Sequence, residues 1–473
     1  MKSGPKSKEK RGEDKFVRVS WDKALELVAK ELTRMYDTYG PSSVYGSSYG
    51  WKSTGSVNDP CALQYRLLNF MGGFTAKRNS YSSAAVNTIL PYVVGSGNPR
   101  CTAWDNVIDH SERIVFWGCN PLVTNDIDWY TTLHNYAGYM RALKKKGTKT
   151  YSVNPVYNDT AEYMKSEWVA VNPGTDTAVM AAMIYELEVT GEADHAFLDK
   201  YTAGWKEFRA YLMGDEDGVK KTPEWAAKIS GIKAETIKAL AHDLKAHRTM
   251  LMIGWGIQRI DYGEQFHWML VTLAAALGQI GLPGGGFGTS YHYSSGGAPL
   301  ANGPFVGGIP SKVYFKPAEG TASATKDFPL ALMAPKGRYR MHSQLDCVNN
   351  RQRGKIEDRE PVWIHPKDAA SRKIESGDVV LVKSRRGAML AGAIVTERVK
   401  PGVIVVQHGA WFDPRKTPKG RIDVEGNSNS LTIDKPTSKL ARGNVSSTGN
   451  VEVTKWTDEL PPVTVFVQPR RKL

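Results

Sequence analysis

The stretch Arg113-Ile-Val-Phe-Trp-Gly-Cys-Asn-Pro121 decides the fold class, because a short apolar run ends in a turn of small and polar residues. The same pattern recurs three more times, at residues 148–155, 168–176 and 250–255. Segments with helical spacing, such as residues 130–146 and 178–189, lie between these runs. Strands that alternate with helices predict doubly wound, parallel-sheet α/β lobes.

The two ends of the chain show different patterns. We expect residues 1–15 to form a disordered tail, and Ser20 to cap a helix over Trp21–Tyr39 that ends at Gly40-Pro41. From Arg359 onward, short apolar runs follow one another at regular spacing, which predicts a C-terminal β-barrel over residues 359–468. The region of about 310–335 has little periodic pattern.

Composition is that of a globular protein. The 473 residues are 41% hydrophobic and 23% charged, and they suffice for two to four domains. No apolar run is long enough to cross a bilayer, and the first residues carry charge without the apolar core of a cleavable signal.

The net charge of +14 makes nucleic-acid binding an alternative function. Residues 1–11 and 470–473 together hold eight Lys/Arg and one Glu, so that +7 remains without them. No basic stretch is interleaved with aromatic residues, as single-strand binding requires. We therefore expect no nucleic-acid partner, and the remaining excess suits the phosphates of a bound dinucleotide.

The four cysteines, Cys61, Cys101, Cys119 and Cys347, form no C-x-x-C pair. Neither a zinc nor an iron–sulfur site is therefore indicated, and buried free thiols are the preferred interpretation.

Three strand-end turns carry polar residues suited to a nucleotide. They contain Gly118 and Asn120, Asn154, and Asp176. In an open parallel sheet, ligands bind outside the carboxyl ends of the strands. Any one of these residues could simply turn the chain, but three such turns in succession favour a nucleotide site. The carboxylate of Asp176 suits the N1–H and amino group of guanine.

Several longer strings resemble one family closely. They are Tyr49-Gly-Trp-Lys52, Tyr81-Ser-Ser-Ala-Ala85, Trp255-Gly-Ile-Gln-Arg259, Leu277–Gly288 and Arg340-Met-His-Ser-Gln-Leu345. The chain resembles the molybdopterin S- and N-oxide reductases, which reduce dimethyl sulfoxide, trimethylamine N-oxide, biotin sulfoxide or methionine sulfoxide. The resemblance implies oxygen-atom transfer at molybdenum held by two molybdopterin guanine dinucleotides. Formate dehydrogenase and nitrate reductase relatives are disfavoured, since Ser82 stands where they typically have Cys, selenocysteine or Asp.

The resemblance assigns roles to individual residues. Ser82 would be the metal ligand, and the other catalytic residues would be Tyr49, Trp51 and Arg259. The cofactor-binding set would be Lys52, Gly118, Asn120, Asn154, Asp176, Trp255, Gln258, Gln265, Gly285, His342, Gln344, Trp411 and Asn444. Ordinary packing is the competing explanation for each aromatic residue, and a surface ion pair is the competing explanation for Arg259.

The chain is expected to be a shortened member of that family. The N-terminal domain and an internal α/β segment near residues 311–338 would be missing, which leaves a non-catalytic relic that binds the dinucleotide as an alternative. The expected division is a tail (1–15), a first α/β lobe with the metal ligand (16–112), a Rossmann-like domain (113–290), a Gly-rich linker (291–340) and a cofactor-binding barrel of the double-psi type (341–473).

The resemblance also implies partners and a location. The substrate would be a small S- or N-oxide, and electrons would come from an external donor of the cytochrome class. The family implies a periplasmic enzyme of anaerobic respiration, with a cytoplasmic location as the alternative because no export signal is visible.

Overall fold

The computed structural model describes residues 17–47, 59–77, 79–80, 82–97, 101–126, 134–292, 307–308, 324–347 and 349–467. The chain divides into two units, residues 1–78 with 464–473, and residues 79–463. Tyr49, Trp51 and Lys52 lie outside the described residues. Within the described part, every helix is too short or too polar to cross a membrane.

The first unit contains two helices and a small parallel pair of strands. These are α1 (Trp21–Tyr39), β1 (Tyr45–Gly46), α2 (Pro60–Phe70) and β2 (Thr75–Ala76). The predicted helix over Trp21–Tyr39 is confirmed: the Ser20 side chain accepts a hydrogen bond from the backbone N–H of Lys23 at 3.2 Å, and the helix ends at Gly40. The Tyr36 hydroxyl donates to the carbonyl of Gly73 at 2.6 Å and ties α1 to the turn after α2.

The second unit begins with helical segments and then builds a parallel sheet. Its helices are α3 (Ala84–Val94), α4 (Trp104–His110), α5 (Pro121–Thr124), α6 (Tyr136–Lys146), α7 (Asp159–Met164), α8 (Asp176–Val189), α9 (His195–Tyr201), α10 (Trp205–Met213), α11 (Pro223–Ser230), α12 (Ala234–Ala246) and α13 (Glu264–Leu277). The strands are β3 (Arg113–Trp117), β4 (Lys149–Val153), β5 (Glu167–Val169), β6 (Thr202–Ala203), β7 (Thr249–Ile253), β8 (Gly286–Gly288) and β9 (Gly307–Gly308).

Five of these strands form one sheet in the order β5-β4-β3-β7-β8, and every pairing is parallel. This confirms the predicted parallel α/β lobe. Trp117 at the end of β3 lies beside Val153 and Ile253, so the carboxyl ends of three strands meet at one edge. We call this edge, formed by the residues that follow β3, β4 and β7, the ligand edge.

The rest of the second unit is a closed barrel. Its strands are β10 (Leu330–Met333), β11 (Pro361–Ile364), β12 (Val379–Lys383), β13 (Ala388–Val395), β14 (Val403–Val406), β15 (Pro414–Thr417), β16 (Gly420–Asp423) and β17 (Asn450–Lys455), with the short helix α14 (Pro366–Ala370). Six strands close in the order β11-β14-β10-β17-β12-β13, because β13 pairs back onto β11. The hairpin of β15 and β16 joins at β13. The predicted C-terminal barrel is confirmed, and it includes a strand, β10, in a region where the sequence showed little pattern.

Candidate functional site

The ligand edge is made of turns that let two backbones approach closely. Gly118 follows β3 with a φ of 55°, and Gly254 follows β7. A Cβ atom at Gly254 would lie 2.2 Å from the carbonyl oxygen of Gly118. Only glycine fits at position 254, because any side chain there would collide with the backbone of Gly118. The ends of β3 and β7 can therefore lie close together, at the edge where an open parallel sheet binds its ligand.

Asn120 and Asn154 organise two of these turns through the chain itself. The Oδ1 atom of Asn120 accepts hydrogen bonds from the N–H and hydroxyl of Thr160, at 3.1 and 2.9 Å. The Oδ1 atom of Asn154 accepts the N–H of Val156 at 3.0 Å. Both residues therefore lie where the sequence predicted, and both shape the turns directly.

Asp176 lies at the first position of α8 and is only 4% exposed. Its Oδ1 atom accepts a hydrogen bond from the indole Nε1 of Trp117 at 2.8 Å. Burial raises the pKa of Asp176 to about 6, although the Trp117 hydrogen bond acts in the opposite direction. The carboxyl group is thus fixed next to the end of β3, and no sequence pattern indicated that Trp117 would hold it.

Ser82 occupies the turn that leads into α3, and its backbone is held from the ligand edge. The side-chain amide of Gln258 donates from Nε2 to the carbonyl of Ser82 at 2.7 Å and accepts the N–H of Val86 at Oε1 at 2.9 Å. Nη2 of Arg259 lies 3.4 Å from the same Ser82 carbonyl. The structure therefore brings Ser82 next to Gln258 and Arg259, which lie more than 170 positions later in the sequence.

A second group of predicted residues comes from the barrel. His342, Ser343 and Gln344 form an exposed turn, and the indole Nε1 of Trp411 donates to the carbonyl of Ser343 at 2.8 Å. Nδ1 of His342 lies 2.9 Å from Nε2 of His408. Partial desolvation by the neighbouring chain lowers the pKa of His342, although its side chain still reaches solvent, and the charges of Arg259 and Lys336 lower it further. Arg259 thus acts on both the Ser82 turn and the histidines.

Direct contacts tie the barrel segment to the turn after β3. The ammonium of Lys336 donates to the carbonyl of Val123 at 2.7 Å, and Arg338 pairs with Asp159 at 3.3 Å. Asp159 also accepts from the amide of Asn120 at 3.2 Å. Lys336 and Arg338 were not among the predicted residues, because isolated basic residues carry no spacing signal. Their charges add to a site suited to an anionic ligand.

A buried ion network supports the barrel side of the site. Arg340 pairs through Nη1 with Glu360 at 2.7 Å and with Asp346 at 3.1 Å. Lys355 pairs with Glu360 at 2.9 Å and also with Glu425. All five side chains are at most 6% exposed. Breaking one of these pairs would leave an unpaired buried charge, which is costly. Because Arg340 and Asp346 lie on either side of His342, the network holds the backbone of that turn in place.

Of the remaining predicted residues, Trp255 and Asn444 make contacts within the chain, whereas Gly285 lies away from the ligand edge. Trp255 packs edge-on against His292 with ring centroids 5.0 Å apart, and Oδ1 of Asn444 accepts the N–H of Ser446 at 3.2 Å. Gly285 precedes β8 and lies near Gln279 and Arg248, at the amino ends of the strands. It is thus at the sheet edge opposite the ligand edge, and close packing of the chain accounts for its glycine.

Some buried polar atoms in this region have no hydrogen-bond partner among the described residues. They are both side-chain amide atoms of Asn125, Oγ1 of Thr177 and Oε1 of Gln265. Buried polar groups in proteins are nearly always bonded. The neighbours of Asp176 and of the Asn120 turn therefore offer unused donors and acceptors to a polar ligand.

The cysteine prediction is corrected in part. Cys101 and Cys119 are buried, as expected, and Sγ of Cys101 lies 2.8 Å from the hydroxyl of Ser290. Cys61 is half-buried, and Cys347 is exposed because it follows the turn at His342–Leu345.

Comparison with known proteins gives two family matches and several relatives. The family model "Molybdopterin oxidoreductase" matches residues 3–396, and the model "Molydopterin dinucleotide binding domain" matches residues 330–467. The chain is 30% identical to the trimethylamine-N-oxide reductase of Haemophilus influenzae, over 98% of this chain and 86% of the relative. It is also 30% identical to the dimethyl sulfoxide/trimethylamine N-oxide reductase of Cereibacter sphaeroides, over 97% of this chain and 86% of that one.

A solved structure has the same fold. Acetylene hydratase from Pelobacter acetylenicus superposes with a TM-score of 0.65 at 13% identity, and the match covers 93% of this chain and 90% of that chain. The alignment with the Haemophilus influenzae relative runs over 708 positions, whereas this chain has 473 residues. At least 235 aligned positions therefore have no counterpart in this chain.

Proposed function

The chain belongs to the molybdopterin oxidoreductase family, and we propose that it is a molybdenum-dependent reductase of S-oxides or N-oxides. Its substrates would be small molecules such as dimethyl sulfoxide or trimethylamine N-oxide, on which the two relatives named above act by their names. Biotin sulfoxide and methionine sulfoxide are further substrates of the same chemical class.

The observation that carries this proposal is the fixing of Ser82 at the ligand edge. Gln258 and Arg259 both hold the Ser82 carbonyl, which fixes the backbone of the turn that carries its half-buried side chain. A serine oxygen in that position is suited to bind the metal, and the guanidinium of Arg259 would add positive charge beside the oxygen of the substrate. Tyr49 and Trp51, which lie outside the described residues, remain proposed substrate contacts.

The residues present fit a dinucleotide cofactor. Asp176 would accept the guanine N–H groups, and the unused atoms of Asn125 and Thr177 would bond to its polar edge. Asn120, Asn154 and Gly118 shape the turns around it, while the barrel would hold the pterin through His342, Gln344, Trp411 and Asn444. Two molybdopterin guanine dinucleotides with molybdenum would supply two-electron oxygen-atom transfer when bound.

The roles of the remaining residues follow from their contacts. Gln258 is a positioning residue for the Ser82 turn, since both ends of its amide are bonded to that segment. Trp255 and Gln265 would line the cofactor site, and Lys52 stays a proposed cofactor contact outside the described residues. For Gly285 we propose no cofactor contact.

A second candidate function is suggested by the alignment. Because at least 235 aligned positions lack a counterpart here, the chain would bind a dinucleotide but lack part of the reductase machinery. This candidate is a cofactor-binding protein without turnover.

For the reductase, we propose a periplasmic location and an external electron donor of the cytochrome class, as the family resemblance implies.

The deciding experiment measures molybdenum and released guanosine monophosphate per chain, together with reductase rates on both substrate classes. Ser82→Ala should retain nucleotide and lose turnover by at least about 100-fold, the upper end of the loss that follows removal of an outer-shell partner of a metal ligand. Ser83→Ala is the matched control, because its hydroxyl bonds to Asn87 at 2.9 Å on the same turn. Full activity in Ser82→Ala would refute the ligand assignment. Nucleotide without turnover in the unmodified chain would favour the second candidate.

A further inference from the structure

Two imidazole rings meet at the barrel side of the site. His342 lies in the turn before β11, and His408 follows β14. Nδ1 of His342 is 2.9 Å from Nε2 of His408, and the rings are nearly parallel, at 22° with centroids 5.2 Å apart. One nitrogen of this pair must donate and the other must accept.

The second nitrogen of His408 settles which is the donor. Nδ1 of His408 lies 3.1 Å from the carbonyl oxygen of Ala334, and a carbonyl oxygen can only accept. Nδ1 of His408 therefore carries the proton, and in a neutral ring its Nε2 is a lone-pair acceptor. His342 must then donate from Nδ1, which leaves its own Nε2 without a proton.

We propose that His408 is a positioning residue that fixes the tautomer of His342 and so leaves Nε2 of His342 as a hydrogen-bond acceptor. Within the described part of the chain, Nε2 of His342 makes no hydrogen bond. The histidine side chain is exposed, so this nitrogen is accessible to a ligand.

The backbone around the pair is held firmly. Arg340 donates to the carbonyl of His408 from Nε at 3.2 Å and from Nη2 at 3.1 Å, while its Nη1 pairs with Glu360. At Gly409, with a φ of 112°, a Cβ atom would lie 2.0 Å from the carbonyl oxygen of His342. The two histidine segments can be this close only because residue 409 is glycine.

The charges around the pair favour two neutral rings. Burial lowers the pKa of His408 to about 4, and the charges of Arg259 and Arg340 lower it further. Arg259 and Lys336 act in the same direction on His342. No carboxylate among the described residues pairs with either ring, so an imidazolium has no stabilising partner there.

The bare Nε2 of His342 determines which kind of group a ligand must present to it. Arg259, Lys336 and Arg338 can only donate hydrogen bonds. Arg259 and Lys336 are the donors whose charges act on His342, and Nε2 of His342 is an acceptor beside them, so it would take an N–H or O–H of a bound heterocycle. Only this last step rests on the proposed function; the tautomer itself is a property of the protein.

The first test reads the tautomer directly in the full chain. The protein is labelled with ¹⁵N-histidine, and long-range ¹H–¹⁵N correlation distinguishes protonated from bare ring nitrogens. His342→Asn and His408→Asn assign the two signals among ten histidines. The expected result at pH 7.5 is a bare Nε2 and a protonated Nδ1 in His342. A protonated Nε2 in His342 would overturn the proposal.

Two variants separate positioning from simple packing. His408→Phe keeps a ring but removes the acceptor, and should shift His342 toward the Nε2–H tautomer. His408→Gln keeps a side-chain oxygen near the place of Nε2 and should restore the original tautomer. If the tautomer of His342 is the same in all three proteins, His408 does not set it.

A second readout uses chain loaded with cofactor in the cell. His408→Phe should release guanosine nucleotide and pterin about tenfold faster than the unmodified chain, while His408→Gln should stay within about twofold. Equal release from all three would overturn the ligand contact of His342. A chain that never binds nucleotide would instead refute the proposed function, with the tautomer result unaffected.

Discussion

The carbonyl oxygen of Ser82 accepts a hydrogen bond of 2.7 Å from the side-chain amide of Gln258. The same amide accepts the N–H of Val86, so a single buried side chain closes the turn that presents Ser82. The position of Ser82, the proposed metal ligand, is therefore fixed by Gln258, a residue that follows strand β7 of the parallel sheet.

Replacing Gln258 by Leu should loosen this turn. The substitution leaves the buried N–H of Val86 without its partner and leaves the Ser82 carbonyl only the longer contact with Arg259, which costs about 1–3 kcal/mol of unfolding free energy. Urea unfolding measures this loss, and molybdenum content should fall in parallel. Gln352→Leu is the control, because Gln352 is exposed and should change stability by less than about 0.5 kcal/mol. Equal stability of the two variants would contradict the positioning role.

The sequence predicted those features that local chemistry determines. The Ser20 cap and the strand at Arg113–Trp117 follow from neighbouring residues and were predictable. The strand at Leu330–Met333 was not predictable, because these four residues form a strand only by pairing with residues 403–405 and 450–451, which lie far along the chain. The bonds of Gln258 to Ser82 and of Trp117 to Asp176 were equally hidden, because tertiary contacts leave no periodic signal.

Asp176 should make the stability of the protein depend on pH. Burial raises its folded pKa from 3.8 to about 6. Its contribution is therefore fully present below pH 3.8 and is lost as pH rises through about 6. Asp176→Asn keeps an acceptor for Trp117 and carries no charge. Without cofactor, the variant should gain up to about 3 kcal/mol over the unmodified chain at pH 8, and little at pH 4.

Urea unfolding at pH 4 and pH 8 measures this difference. A stability gap between the two proteins that is independent of pH would rule out the buried carboxylate as its source. The same variant should bind guanosine nucleotide more weakly, because an amide cannot accept two guanine N–H groups as a carboxylate can.

The four thiols should differ in their reaction with a thiol reagent. Cys347 is exposed, whereas burial raises the pKa of Cys101 and of Cys119, which keeps both thiols protonated and unreactive. A disulfide reagent at pH 8 should therefore show one fast phase from Cys347 and a slower phase from the half-buried Cys61, and Cys347→Ser should remove the fast phase. Cys101 and Cys119 should react only after unfolding. A fast phase that survives in Cys347→Ser would contradict the exposure of this turn.

Two neighbouring carboxylates of the barrel network, Glu425 and Glu360, should differ in how much stability the protein loses when each is replaced by glutamine. Burial raises the pKa of Glu425 to about 8, although the contact with Lys355 acts in the opposite direction, and this shift favours the protonated carboxyl near neutral pH. Glu425→Gln resembles this protonated form and should leave stability at pH 7 within about 1 kcal/mol. Glu360→Gln instead removes the shared partner of Arg340 and Lys355, and should cost about 3–5 kcal/mol.

The stability of Glu425→Gln and Glu360→Gln should also differ in its dependence on pH. Because the folded pKa of Glu425 is raised above 4.5, its contribution to stability is present below pH 4.5 and is lost as pH rises through about 8. Glu425→Gln should therefore be more stable than the unmodified chain at pH 9, while Glu360→Gln should be less stable at every pH between 6 and 9. Chemical unfolding across that range decides the matter. If Glu425→Gln is as damaging at pH 7 as Glu360→Gln, then Glu425 is ionised in the folded protein and the network holds three negative charges.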